Sequence, residues 1–290
     1  MIFVFLFLST ILVQAVPQYY ATAADEAHYY LVKNLIGSIH TTNFKHVEEI
    51  AVFDLGLTST QKEELNSMQK VAVYDLELVN PDMLRYIITA PNGRMVRGCF
   101  SWKPVIFKQA LELYPYMLYM DAGTTVLKPL DIIFQQIYTN GYFLLSCTKD
   151  SNNNVKNRIT QTVIDGVVSS RTGKEQAVAL SSETFMIDAG LQGLSRNMLD
   201  SYVLPLYAFA QNIDLFKDDH TAPYGFGAAR HDQTLCTLLA YWLDLKIYDE
   251  GSEQIHVHWN RSEIKNKTCM YRSRADCMFN GGSAQYVRFR

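Results

Sequence analysis

The chain has no excess of basic charge: 26 Lys and Arg stand against 29 Asp and Glu, for a net charge of −3. That balance gives no polycationic surface for a phosphate backbone and argues against nucleic acid as the main partner, although local basic pockets are still compatible with it. Long apolar runs are also missing. The longest, Ile2 to about Val16, falls short of the roughly 20 residues that cross a bilayer about 30 Å thick, and no later stretch reads as transmembrane. Cysteine is sparse, with five residues in no zinc-binding spacing. Internal repeats and a clear interdomain linker are absent as well.

What is present is enough for a large core. The 290 residues are 48% hydrophobic and 19% charged, a globular composition whose length suits one big domain or two small ones. Residues 1–16 read as a secretory signal peptide, with small residues at Val13 and Ala15, and again at Ala21 and Ala23, spaced as for cleavage. A short signal anchor competes, because no basic residue precedes the apolar run. A single domain is then expected over 24–290, in the ER or Golgi lumen or secreted. Two sequons at Asn260 and Asn266 fit a lumenal chain. In an oxidising compartment Cys269 and Cys277 could close a short disulfide loop, whereas Cys147 and Cys236 lie in apolar patterns and read as buried thiols.

Two hydrophobic periods alternate along the chain. "EEIAVFDLGL" and "KVAVYDLEL" are short β-branched and aromatic runs, and between them "TSTQKEELNSM" reads as a helix capped by Thr58 or Ser59, making a βαβ unit. A helix from about Trp102 to Tyr114, the strand "YMLYMDAG", a helix from about Pro129 to Tyr138 and the strand "YFLLSCT" follow. After a polar interval come "ETFMIDAGLQGLS", a long helix through "RNMLDSYVLPLYAFAQN", a Gly-containing loop, the helix "DQTLCTLLAYWLDL" and the strand "LKIYDE". Continuously apolar strands between amphipathic helices predict an α/β fold, a mostly parallel sheet covered on both faces. Ligands of such sheets sit beyond the strands' carboxyl ends. Asp54, Asp75, Asp121 and Asp188 all fall near strand ends. A carboxylate there can bind a ribose hydroxyl or a divalent cation carrying a diphosphate. Alternatively, each acid simply caps the next turn.

Taken in order, "IAVFDLGLTSTQKEEL", "FSWKPVIFKQAL", "LYMDAGTTVLKPLDIIF", "FMIDAGLQGLS" and "RHDQTLCTLLAYWL" resemble the nucleotide-diphospho-sugar transferases of the GT-A fold. The match is to members whose strand one ends in Asp-Leu-Gly-Leu and whose next helix begins Trp-Lys-Pro. It covers roughly Tyr29 to Tyr248. The resemblance implies a Rossmann-like sheet, a nucleotide-sugar donor, transfer to an acceptor hydroxyl on a glycan, protein or lipid, and a divalent cation, Mn²⁺ or Mg²⁺. Asp54 and Asp75 would then lie near the base and ribose, and Asp121 near ribose and diphosphate.

The family's acidic motif is usually Asp-x-Asp. Here Asp121 matches its first acid, and Gly123 replaces the last, which normally binds the metal. The metal would be held by Asp121 with His256 or His258, or the diphosphate would be met by cations alone. Candidate cations are Lys103, at the start of a helix with Pro104 in its first turn, and Arg230 with His231. Asp188 matches the segment facing sugar and acceptor, where a carboxylate could be general base, nucleophile or hydrogen-bond partner. Asp232 and Gln233 match an Asp-Gln pair that touches donor or acceptor, and Asp232 also reads as an N-cap. The loop carrying Tyr224 and Phe226 is the candidate acceptor loop. Two other readings stay open: an inactive GT-A-like glycan-binding or interaction protein, and a two-carboxylate hydrolase using Asp121 and Asp188.

Overall fold

The computed structural model describes residues 16–89, 93, 95–147, 149, 152–249, 256–258, 268–272, 288 and 290. The apolar leader up to residue 15, both sequons, Cys277 and the side chain of Cys269 lie outside that description. Among the described residues, no helix is long and apolar enough to cross a membrane.

The chain opens with β1 (Gln18–Ala24), α1 (Tyr29–Asn43), β2 (Val47–Asp54), α2 (Ser59–Ser67) and β3 (Val71–Asp75). A hairpin of β4 (Ile87–Thr89) and β5 (Met95–Arg97) follows. Next come α3 (Lys103–Leu113), β6 (Tyr116–Met120), β7 (Thr124–Val126), α4 (Asp131–Asn140) and β8 (Tyr142–Ser146). Short α5 (Val155–Arg158) and α6 (Gln161–Val163) lead to α7 (Lys174–Leu180), β9 (Ile187–Ser195), α8 (Leu204–Ala210) and α9 (His231–Trp242). The last strands are β10 (His256–His258) and β11 (Thr268–Arg272).

The main sheet has six strands in the order β3-β2-β1-β6-β9-β8. All pairings from β3 to β6 are parallel, and β9 runs antiparallel to both β6 and β8. The expected α/β, mostly parallel sheet is present. Alternate residues of the inner strands feed two cores. Ala21, Ala51, Phe53, Met117 and Tyr119 pack on one face, and Tyr20, Ile50, Val52, Leu118 and Met120 on the other, as the two-residue period of a doubly covered strand requires.

Local signals explain most helix ends. Thr58 caps α2 with a full capping box, its hydroxyl accepting from the Gln61 N–H while the Gln61 side chain accepts from the Thr58 N–H. Gly141 stops α4 at φ 85°, its N–H donating to the Ile137 carbonyl. In α1, Val32, Leu35, Ile36 and Ile39 are buried at helical spacing.

Three expectations change. Gln18–Ala24, lying almost wholly ahead of the expected domain start at residue 24, form β1 between β2 and β6. A cut at Ala21 or Ala23 would remove an interior strand, whereas one at Ala15 would spare it. The single long helix after β9 is a succession of registers: a 3₁₀ turn (Arg196–Met198), a π turn (Leu199–Val203) and then α8. Pro205, which has no N–H to donate to the preceding turn, sits in the first turn of α8. The strand "LKIYDE" reduces to one bridge, Tyr248 with Leu145.

Candidate functional site

A cavity of about 710 Å³ opens where β1 and β6 end. Chain order reverses here, because β1 leads to β2 on one side and neighbours β6 on the other, the switch point at which open α/β sheets leave a crevice. Its walls include Asp25 after β1, Asp121 and Gly123 after β6, Asp188 and Gly190 on β9, Lys103 on α3, and Arg230 through Gln233 at the start of α9.

Asp188 arrives by a different route from the one expected. It is the second residue of β9, near the amino end of the antiparallel strand, and that end lies at the same edge as the carboxyl ends of β1 and β6. The Asp121 N–H donates to the Gly190 carbonyl at 2.9 Å, and the Gly190 N–H donates to Asp188 Oδ1 at 2.9 Å. Strand pairing therefore fixes both carboxylates at one rim.

Lys103 is the charge at the centre. Its Nζ lies 3.1 Å from Asp121 Oδ1 and 3.1 Å from Asp232 Oδ2, and donates to the Ala189 carbonyl at 3.4 Å. The Asp232 contact is an ion pair whose angle is not that of a hydrogen bond. Lys103 and Asp232 are 4% and 5% exposed, whereas Asp121 is 41% exposed, so Asp121 is the member that faces solvent. The rings of Phe100, Tyr119 and Trp102 lie with centroids 5.0, 5.6 and 5.8 Å from the ammonium, close enough for cation–π attraction. Tyr119 also donates its hydroxyl to Asp121 Oδ1 at 3.0 Å.

These neighbours set the charges. Burial pulls the Lys103 ammonium toward neutrality, but Asp121 and Asp232 together lift its pKa above the ordinary lysine value. Burial pushes Asp232 up to about 6, against the pull of Lys103 and with help from the Asp121 charge. A carboxyl in that range changes charge near neutral pH, as a proton-transferring group must. Asp232 does not cap α9: the capping position is Arg230, and the Asp232 side chain turns to Lys103 instead.

The backbone beneath Lys103 is strained. Gly98, Cys99 and Phe100 have φ of 55°, 48° and 64°, three left-handed residues in succession. A Cβ on Gly98 would stand 1.9 Å from the Met83 carbonyl oxygen, so only glycine fits. The turn carries the Phe100 ring to within 5.8 Å of the His231 ring. His231 is itself left-handed at φ 45°, with Nδ1 2.6 Å from the Phe216 carbonyl. A carbonyl only accepts, so Nδ1 carries the proton there. Strain of this kind gathers at ligand sites.

Of the residues singled out in the sequence, Lys103, Asp121, Gly123, Asp188, His231, Asp232 and Gln233 line the one cavity. Gln233 is pinned through Nε2 to the Ile187 carbonyl at 2.6 Å and Cys147 Sγ at 3.1 Å; Cys147 is thus partly exposed at the site and not fully buried. Asp54 and Asp75 do not line it. Asp54 accepts from the Gly56 and Leu57 N–H groups at 2.7 Å and pairs with Lys62 at 2.9 Å, which makes it a turn acid, and Asp75 is exposed at the far strand. His256 and His258 lie on β10, which pairs β11, and β11 pairs β7, the strand that follows Gly123; the two histidine side chains lie outside the described residues.

Sequence reasoning missed Asp25, Arg97 and Arg158. Asp25 accepts from the His28 N–H at 3.1 Å and from Arg97 Nε at 3.2 Å. Although burial works against it, the His28 imidazole, with Nδ1 2.6 Å from Asp25 Oδ1, followed by Arg97 and the His28 N–H, holds its pKa at about 2. The signal was available, an acid directly after the run "YYATAA", but that run lay beside the apolar leader. Arg158 also reaches the cavity, with its Nε donating to the Asn152 carbonyl at 2.9 Å.

The described residues do not fit a resident divalent cation. Asp121 and Asp232 share an ammonium, Gly123 brings no side-chain oxygen, and no group of three or more His, Cys, Asp or Glu among the described residues is arranged around a common ion position.

No protein-family model matches the sequence, and no curated protein matches it. Solved structures do. An active-site mutant of the galactosyltransferase LgtC superposes with a TM-score of 0.51 at 12% identity, over 93% of this chain and 94% of that one. The apo bifunctional glycosyltransferase WbbM gives 0.51 at 13% identity, over 90% of this chain and 46% of that chain, so this protein spans about half its length. Core-mannan synthase A (CmsA/Ktr4) from Aspergillus fumigatus, in its Mn/GDP form, gives 0.50 at 9% identity, over 78% and 69%. At these identities the likeness is one of fold, and it agrees with the GT-A architecture that the motifs resemble.

Proposed function

We propose that the protein is a glycosyltransferase that moves a sugar from a nucleotide-diphosphate donor to an acceptor hydroxyl. The observation that carries the reading is the cavity beyond β1 and β6, where five carboxylates (Asp25, Asp121, Asp188, Asp218, Asp232) meet Arg97, Lys103, Arg158, Arg230 and the imidazoles of His28 and His231 in one hollow. Its size falls within the roughly 300–1,000 Å³ of small-molecule sites. The fold is one that glycosyltransferases use, and fold alone does not fix chemistry, so the weight rests on the hollow.

The end of the cavity near β1, with Leu31 and Leu55 beside Asp25 and the His28 and Arg97 that hold it, suits a base and ribose: apolar wall together with fixed polar groups. The positive groups of Lys103, Arg158 and Arg230 in the lining suit the diphosphate, whose negative charge grows as the glycosidic bond to it breaks. Fixed positive charge there lowers the barrier without reorganisation. On this reading Asp188, which lines the cavity, takes the proton of the acceptor hydroxyl. We place the enzyme in the secretory pathway on the apolar segment at residues 2–16 and the sequons at Asn260 and Asn266.

Melting temperature measured against a panel of nucleoside diphosphates and nucleotide sugars tests the assignment. One nucleotide series should stabilise the protein, and incubation with its sugar form should release the nucleoside diphosphate. Stabilisation without release would instead support the glycan-binding alternative that Gly123 favours. No stabilisation by any nucleotide would overturn the donor site.

A further inference from the structure

The charge arrangement at Asp121 departs from a metal site in a definite way. Two carboxylates approach one ammonium at 3.1 Å each, within ion-pair distance. Three aromatic faces and the Ala189 carbonyl surround the rest of its head. Lys103 is anchored one residue before Pro104 in the first turn of α3, three residues after the strained Gly98–Phe100 turn. It has little freedom to withdraw. A divalent ion brought to Asp121 would meet that ammonium as a like charge and would find one carboxylate already engaged.

We propose that Lys103 is the built-in cation of this cavity: it holds Asp121 and Asp232 together in place of a divalent metal, and the donor diphosphate is received without Mn²⁺ or Mg²⁺. Lys103 acts here as a positioning residue. It keeps Asp121 at the rim, neutralises one of two acids that would otherwise repel the diphosphate, and does so whatever the metal supply. The location rests on the donor-site reading, but the central test does not.

Mn²⁺ alone is titrated calorimetrically into the full chain, into Asp121→Asn, into Lys103→Met and into Lys103→Met combined with Asp232→Asn. The wild type should show no Mn²⁺ binding that Asp121→Asn abolishes. Lys103→Met, which keeps the length of the side chain and removes its charge, should gain Mn²⁺ affinity by at least about tenfold as the freed carboxylates become hard ligands. Adding Asp232→Asn should take that gain away. A purely structural lysine would change the melting temperature in Lys103→Met without creating this metal affinity.

Asp121-dependent Mn²⁺ binding by the wild type would overturn the proposal, as would a folded Lys103→Met that gains none. If Lys103→Met does not fold, the wild-type and Asp121→Asn titrations decide alone. The nucleotide-induced rise in melting temperature should also survive EDTA. If no nucleotide produces a rise, the donor-site reading fails while the Mn²⁺ titrations still decide the role of Lys103.

Discussion

The Asp121 N–H donates to the Gly190 carbonyl at 2.9 Å, and this bond joins the end of a parallel strand to the start of an antiparallel one. Because β6 and β9 run in opposite directions, an acid just past the end of one and an acid near the beginning of the other meet at the same edge. The two "DAG" segments of the sequence are therefore neighbours in space.

Asp54 and Asp121 occupy similar places in the sequence pattern and should behave differently when removed. Asp54→Ala deletes the acceptor for two backbone N–H groups and should cost about 1 kcal/mol, with the nucleotide-induced thermal shift unchanged. Asp121→Ala should abolish that shift. Parallel thermal melts with and without nucleotide distinguish the two.

Gly98→Ala should be severe. The added Cβ would sit 1.9 Å from the Met83 oxygen at a φ of 55°, so the Gly98–Phe100 turn must move. A loss of roughly 3 kcal/mol or more in denaturant unfolding is expected, together with weaker nucleotide binding, because Phe100 packs on Lys103.

Asp232 sets a pH dependence of definite sign. Its native pKa, about 6, exceeds the unfolded value of 3.8, so between those values the native state holds the extra proton. Stability is then lost as pH rises through that window and is level above it, by on the order of 3 kcal/mol. Asp232→Asn removes the term. The melting temperature of the variant relative to wild type should rise from pH 4 to pH 7; a constant difference would show that Asp232 is ionised throughout.

His40 works in the opposite direction. Burial, followed by the Arg288 charge, lowers its pKa from 6.5 to about 4, so the unfolded chain takes up a proton that the native chain refuses. As pH falls from 6.5 to 4, wild type should lose up to about 3 kcal/mol relative to His40→Asn. Chemical unfolding of both proteins at pH 7 and pH 4.5 measures it.

The α/β order, the capping box at Thr58, the Pro104 helix start and the two acids at Asp121 and Asp188 were legible from period and local chemistry. Register and direction were not. Nothing in "FMIDAGLQGLS" says that its strand runs antiparallel, since a strand buried on both faces is apolar throughout whichever way it points. For the same reason β1 was hidden beside the apolar leader, and with it Asp25, while Asp54, a turn acid, resembled a site residue.

The sequence by itself determined the layered α/β architecture and supplied the charged residues, because side-chain period and helix-end chemistry act over a few neighbours. Only the tertiary structure decided which charges meet. Lys103, Asp121 and Asp232 are far apart in the chain, and their contact depends on the packing of α3 and α9 around the ends of β6 and β9. Long-range packing also keeps water from that ammonium, and it is this burial that turns three ordinary side chains into one coupled site.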